Sequence, residues 1–143
     1  MEREVLGKGE GKVEKRAKIL LIDDDPDFVE ATRKVLESRD YQVAVAYSGA
    51  EGLQKAMEDK PDVILLDIIM PAKDGFNVCE EFKESDELGD IPVLMLTSYS
   101  QRKGDTRIPV SHGFGLEAED YIDKPVQPAV LIERIEKQLA RIG

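Results

Sequence analysis

Residues 18–67 read KILLIDDDPDFVEATRKVLESRDYQVAVAYSGAEGLQKAMEDKPDVILLD, and the fold is decided in this stretch. Short apolar runs alternate with segments of helical period: KILLID, then PDFVEATRKVLESR, then YQVAVAY, then Gly49 to Asp59, then DVILLD. The pattern is βαβαβ. Ile19–Ile22 and Val63–Leu66 are apolar at every position, as strands are when helices cover both faces of a parallel sheet. Local punctuation agrees. Asp25 before Pro26 marks a helix start, Ser48-Gly49-Ala50-Glu51 has the form of a capping box, and Pro61 precedes the third strand.

Toward the C-terminus the same alternation predicts a third helix from Gly75 to Ser85 and a fourth strand from Pro92 to Leu96. A short fifth strand follows around Tyr121–Ile122, and a last helix from Gln127 to Arg141. Pro128 suits the first turn of that helix, and Val130, Leu131, Ile135, Gln138 and Leu139 form its mostly apolar face. Right-handed crossovers turn five such units into an α/β fold, a doubly wound open parallel sheet for which the strand order 2-1-3-4-5 is a common solution. The stretch from Ser98 to Glu117 interrupts the scheme. It holds Gly104, Pro109, Gly113 and Gly115 where a helix between strands four and five is due, so a short or irregular helix is expected there.

At 143 residues the chain has the size of one domain, with 41% apolar and 35% charged residues. No apolar run approaches the roughly 18 residues of a membrane span. Residues 1–17 mix both charges with three glycines and lack the apolar centre of a secretory signal, so they read as a charged flexible extension ahead of a domain at 18–143. A cytoplasmic location is expected, and the single cysteine, Cys79, excludes an internal disulfide. Cys79 reads as a core residue beside Val78 and Phe82. A net charge of −10 repels phosphate backbones and disfavours direct nucleic-acid binding.

In an open parallel sheet, ligands sit at the carboxyl ends of the strands. Strand one ends in Asp23-Asp24-Asp25, strand three in Asp67, strand four in Thr97-Ser98, and strand five leads into Lys124-Pro125. The order 2-1-3-4-5 brings these strands together as neighbours, gathering carboxylates, hydroxyls and one ammonium on one rim. Clustered carboxylates demand a cation or raised pKa values. Ligands that are all oxygen favour a hard ion, with Mg²⁺ first because it takes one or two carboxylates and shares phosphate oxygens. Lys124 then supplies a point charge for phosphoryl oxygens, and Thr97 a hydrogen bond to the same group. Asp67, ending the central strand, is the best-placed carboxylate nucleophile, and the backbone carbonyls of the following Ile68-Ile69-Met70-Pro71 can complete a metal shell.

ILLIDDDP, DVILLDIIMPAKDGF, PVLMLTS and YIDKP, in this order and at these spacings, resemble the receiver domain of bacterial two-component response regulators, a flavodoxin-like fold. The resemblance covers Lys18 to Gly143. It implies a phosphoacceptor signalling domain, not an enzyme beyond its own phosphoryl transfer and slow autodephosphorylation. Asp67 is then the phosphoacceptor; Asp24, Asp67 and the backbone carbonyl of Ile69 bind Mg²⁺ directly, and Asp23 acts through water. Thr97, Ser98 and Lys124 hold the phosphoryl group, and Thr97 with Tyr121 forms the conformational switch. Implied partners are a sensor histidine kinase or phosphotransfer protein as donor and a protein that receives the output, with no membrane and no direct nucleic-acid contact. The chain is expected to be a monomer or a phosphorylation-dependent homodimer, too short for a receiver plus an output module. The long stretch between Thr97 and Lys124 departs from the family and leaves its output surface open.

Taken singly, the motifs have plainer readings: Asp23–Asp25 as a helix cap, Lys124-Pro125 as a turn, Thr97 as a strand end, His112 as a surface loop residue. Their joint placement favours the site. Rival functions lack their own signatures. An aspartate-based phosphohydrolase wants an acid two residues past the nucleophile, where Ile69 stands, and a flavin carrier wants a small-residue phosphate loop where three acids follow strand one. An unphosphorylated binding module would lack the acceptor, the lysine or the acidic pair. The bulk of Ile69 and Tyr99 beside Asp67 is expected to slow the attack of water on a phosphoaspartate.

Overall fold

The computed structural model describes residues 17–67, 75–98 and 118–142. In chain order these form β1 (Lys18–Ile22), α1 (Pro26–Ser38), β2 (Gln42–Ala46), α2 (Gly49–Glu58), β3 (Val63–Asp67), α3 (Gly75–Glu84), β4 (Val93–Ser98), β5 (Asp120–Lys124) and α4 (Pro128–Ile142). All strand pairs are parallel, and the five strands run in the order β2-β1-β3-β4-β5. The expected helix between β4 and β5, and the extension up to residue 16, lie outside the described residues.

The all-apolar strands feed two cores, because successive side chains leave a strand on opposite faces. Leu20, Ile22, Ile64, Leu66, Val93 and Met95 meet Ala56 of α2 and Val78, Cys79 and Phe82 of α3 on one face. Ile19, Leu21, Val63, Leu65, Leu94 and Leu96 meet Val29 and Leu36 of α1 and Leu131, Ile132 and Ile135 of α4 on the other. Cys79 is in the core, beside Val78 and Phe82. On α4, Ile132 is buried and Val130 only partly so, which rotates the inward face slightly from the one predicted.

Helix starts follow the local signals. Asp25 caps α1 by accepting from the N–H groups of Asp27 and Phe28, with Pro26 in the first turn. The Ser48 hydroxyl accepts from the Glu51 N–H at 3.1 Å, while the Glu51 carboxylate reaches back one residue past the cap, to the N–H of Tyr47 at 2.8 Å. α1 ends with Asp40 at φ 72°, a left-handed position that Asp tolerates better than most residues, and the Tyr41 N–H closes the turn on Leu36 O at 3.2 Å. Gly52 lets α2 approach β1, since a Cβ there would stand 2.8 Å from Ile22 Cγ1. β4 and β5 run further into polar sequence than predicted. β5 is an edge strand, where polar side chains are tolerated, and backbone pairing with β4 carries both strands to the rim.

Candidate functional site

The strand order reverses between β1 and β3, and the acidic residues converge just beyond the carboxyl ends of these two strands. The run Asp23-Asp24-Asp25 divides its labour. The Asp25 side chain caps α1. Asp23 turns inward and is fully buried, its N–H donating to Ala46 O at 3.1 Å and its Oδ1 accepting from the Asp25 N–H at 3.1 Å. Asp24 stays exposed at the mouth of the site. Asp67, last residue of β3, is 6% exposed, and carboxylate oxygens of Asp23, Asp24 and Asp67 all lie within 4.8 Å of one another. Lys124, last residue of β5, places Nζ 2.7 Å from Asp23 Oδ2 and 3.5 Å from Asp67 Oδ1. Its ammonium also lies 4.2 Å from the centroid of the Phe28 ring, an orienting contact from the first turn of α1.

Among the described residues, Asp23 and Asp67 therefore share Lys124, with Asp24 beside them. Burial, the Asp23 charge and, to a smaller extent, the Asp24 charge push the Asp67 carboxyl up to about 7, against the opposing pull of Lys124. For Lys124, burial works against the charged form, but the hydrogen bond to Asp23 and the Asp67 and Asp23 charges outweigh it and hold the ammonium above its usual range. The donor set is oxygen only and carries excess negative charge, which fits a hard divalent cation.

Thr97, near the end of β4, is 2% exposed, and its hydroxyl donates to Asp123 Oδ1 at 2.8 Å. Tyr121 is half-buried against the core cluster that contains Met95 and Val78. The structure thus brings Asp23, Asp24, Asp67 and Lys124 into one pocket, with Thr97 and Tyr121 on the neighbouring strands. Ile69, Tyr99, His112 and the side chain of Ser98 lie outside the described residues. Two participants escape a reading of the chain by motif. Phe28 sits on a helix, where its helical period marks only a core face. Asp123 becomes visible only when the register pairs it with Thr97.

The family model of the response regulator receiver domain matches residues 19–136, and the chain belongs to this family. Its members act as phosphorylation switches in two-component signal transduction, with a histidine kinase as phosphodonor. The transcriptional regulatory protein AfsQ1 of Streptomyces coelicolor is 40% identical over 125 residues, 86% of this chain and 51% of that protein. The DNA-binding dual master transcriptional regulator RpaA of Synechocystis is 36% identical over 124 residues, 87% of this chain and 49% of that protein. The chain spans about half the length of these curated relatives. A crystal structure described as that of a response regulator from Chloroflexus aurantiacus superposes with a TM-score of 0.77 at 33% identity, covering 88% of this chain and 99% of that one. Among the described residues, no helix is long and apolar enough to cross a membrane.

Proposed function

We propose that Asp67 is the phosphoacceptor of this receiver domain, spanning residues 18–143 behind a charged extension at 1–17. The convergence of three carboxylates within 4.8 Å of one another, two of them against the ammonium of Lys124, carries this reading. An Asp67 oxygen attacks phosphorus as the bond to the donor group breaks, the donor being the phosphohistidine of a sensor kinase or phosphotransfer protein. The transition state is loose, so positioning and charge neutralisation do most of the work and no general base is required. Lys124 shifts from Asp23 and Asp67 toward the new phosphoryl oxygens, and Thr97 and Ser98 supply hydroxyl donors. Asp24, Asp67 and the backbone carbonyl of Ile69 would hold Mg²⁺, with Asp23 acting through water. A bound divalent cation supplies the positive charge that keeps Asp67 ionised and offsets the charge gathering on the phosphoryl oxygens.

Movement of Thr97 toward the phosphoryl group opens room for Tyr121 to turn inward and reshapes the β4–β5 face. The output is a protein contact made in the cytoplasm, and the net charge of −10 keeps this domain itself from nucleic acid. Turnover is limited to the domain's own phosphoryl transfer and slow autodephosphorylation. Intact mass after incubation with acetyl phosphate tests the core of the reading. A gain of one phosphate that needs Mg²⁺ and vanishes in Asp67→Asn is the expected result. No gain in the wild type under any condition would leave an unphosphorylated binding module.

A further inference from the structure

Thr97 and Asp123 are register partners on adjacent parallel strands. Side-chain alternation places them on one face: Met95 and Tyr121 pack on the core cluster that meets α2 and α3, and Thr97 and Asp123 stand two residues further along the same strands. The contact between them is a 2.8 Å hydrogen bond from a buried hydroxyl to the carboxylate of an exposed aspartate.

A threonine hydroxyl has a single proton to donate. In the resting structure the hydroxyl donates to Asp123, whereas holding a phosphoryl oxygen on Asp67 requires the same proton to turn toward the pocket. We propose that Asp123 is a positioning residue that retains Thr97 in the resting arrangement, so that every phosphoryl group bound at Asp67 competes with the Thr97–Asp123 hydrogen bond. The inference deepens the reading of Asp67 as acceptor and Thr97 as phosphoryl ligand, and rests on it. Because Asp123 is exposed, solvent can reach its carboxylate when Thr97 turns away. The competition therefore biases the switch by the net worth of one hydrogen bond and does not block it.

Calorimetric titration of the full chain with beryllofluoride and Mg²⁺ tests this, using wild type, Asp123→Asn and Asp123→Val, each with Thr97 intact and with Thr97→Val. Valine suits an exposed strand position and cannot accept the bond, while the asparagine amide oxygen still can. Asp123→Val should bind beryllofluoride about fivefold more tightly than wild type, and Asp123→Asn should stay within about twofold of it. With Thr97→Val in place, substituting Asp123 should change nothing, since a retained partner is needed for the effect. Three results overturn the proposal: no gain in Asp123→Val, an equal gain in Asp123→Asn, which would signify charge repulsion alone, or a gain that survives Thr97→Val. A wild type that accepts phosphate from acetyl phosphate but shows the first of these loses only the role of Asp123. A wild type that neither accepts phosphate nor binds beryllofluoride overturns the phosphoacceptor reading and this one together.

Discussion

Two lysines, one on each rim of the sheet, differ in the company they keep. At the amino-terminal rim, Lys83 donates to both oxygens of Glu119 at 2.9 and 2.8 Å and to Ile91 O at 2.9 Å. Glu119 also accepts from the Val93 N–H at 2.7 Å, and its own N–H donates to Val93 O at 2.8 Å. One cation meets one anion, and backbone groups take up remaining hydrogen-bonding capacity on both. At the carboxyl rim, Lys124 faces Asp23 and Asp67, with the Asp24 carboxylate beside those two acids. The two lysine side chains are similarly shielded, 11% and 21% exposed, so burial does not separate the two sites. Stoichiometry among the described residues does: the balanced pair pins the start of β4 and β5 to α3, while the carboxyl-rim cluster carries more acids than bases, an imbalance that a cation and a phosphoryl group can fill in turn.

Removing each lysine should break the comparison unequally. Lys124→Met leaves the buried Asp23 and Asp67 without a counter-charge. It should cost about 3 kcal/mol of metal-free stability and slow phosphorylation by acetyl phosphate on the order of a hundredfold. Added Mg²⁺ should restore much of that stability, as urea titration with and without the ion will show. Lys83→Met should cost about 2 kcal/mol in the same titration, with no specific recovery in Mg²⁺, because among the described residues Glu119 belongs to no cluster of carboxylates able to hold an ion. Equal rescue of both variants would erase the distinction between the two rims.

The pH dependence sharpens the contrast at a smaller scale. Asp67, held at about 7 in the metal-free fold and at an ordinary value once unfolded, binds its proton more tightly when folded. Its contribution is therefore fully present below about pH 4 and is lost as pH rises through 7. Melting of the metal-free protein between pH 5 and 8 should show this slope, and Asp67→Asn should flatten it and be the more stable form at pH 8. Smallest of all is the peripheral pair between Arg134 of α4 and Asp120 of β5, 2.8 Å apart with the arginine side chain 36% exposed. Arg134→Ala should change stability by about 0.5 kcal/mol, within reach of thermal melts repeated at low and high salt.

Much of the architecture is legible residue by residue. The continuous apolar runs at Ile19–Ile22 and Val63–Leu66 are fully or almost fully buried, and helices pack on both faces of the strands they form. The acids and the lysine were legible as a group because each stands at the carboxyl end of its strand, and parallel strands bring those ends to one rim whatever their separation along the chain. Strand ends were less legible. Thr97 and Asp123 are polar, and their place in β4 and β5 follows from pairing that no local preference records.

The sequence by itself determined the alternation of strands and helices, the two-sided burial of the central strands, and the gathering of Asp23, Asp24, Asp67 and Lys124 at one rim, since all of these follow from periodicity and chain direction. Strand register and helix docking alone settle that Asp23 is fully buried while Asp24 stays exposed, that Phe28 lies against the Lys124 ammonium, and that the Thr97 hydroxyl donates to Asp123. Those outcomes depend on strand register and helix docking to within about 1 Å, the tolerance of a hydrogen bond, which residues far apart in the chain settle jointly.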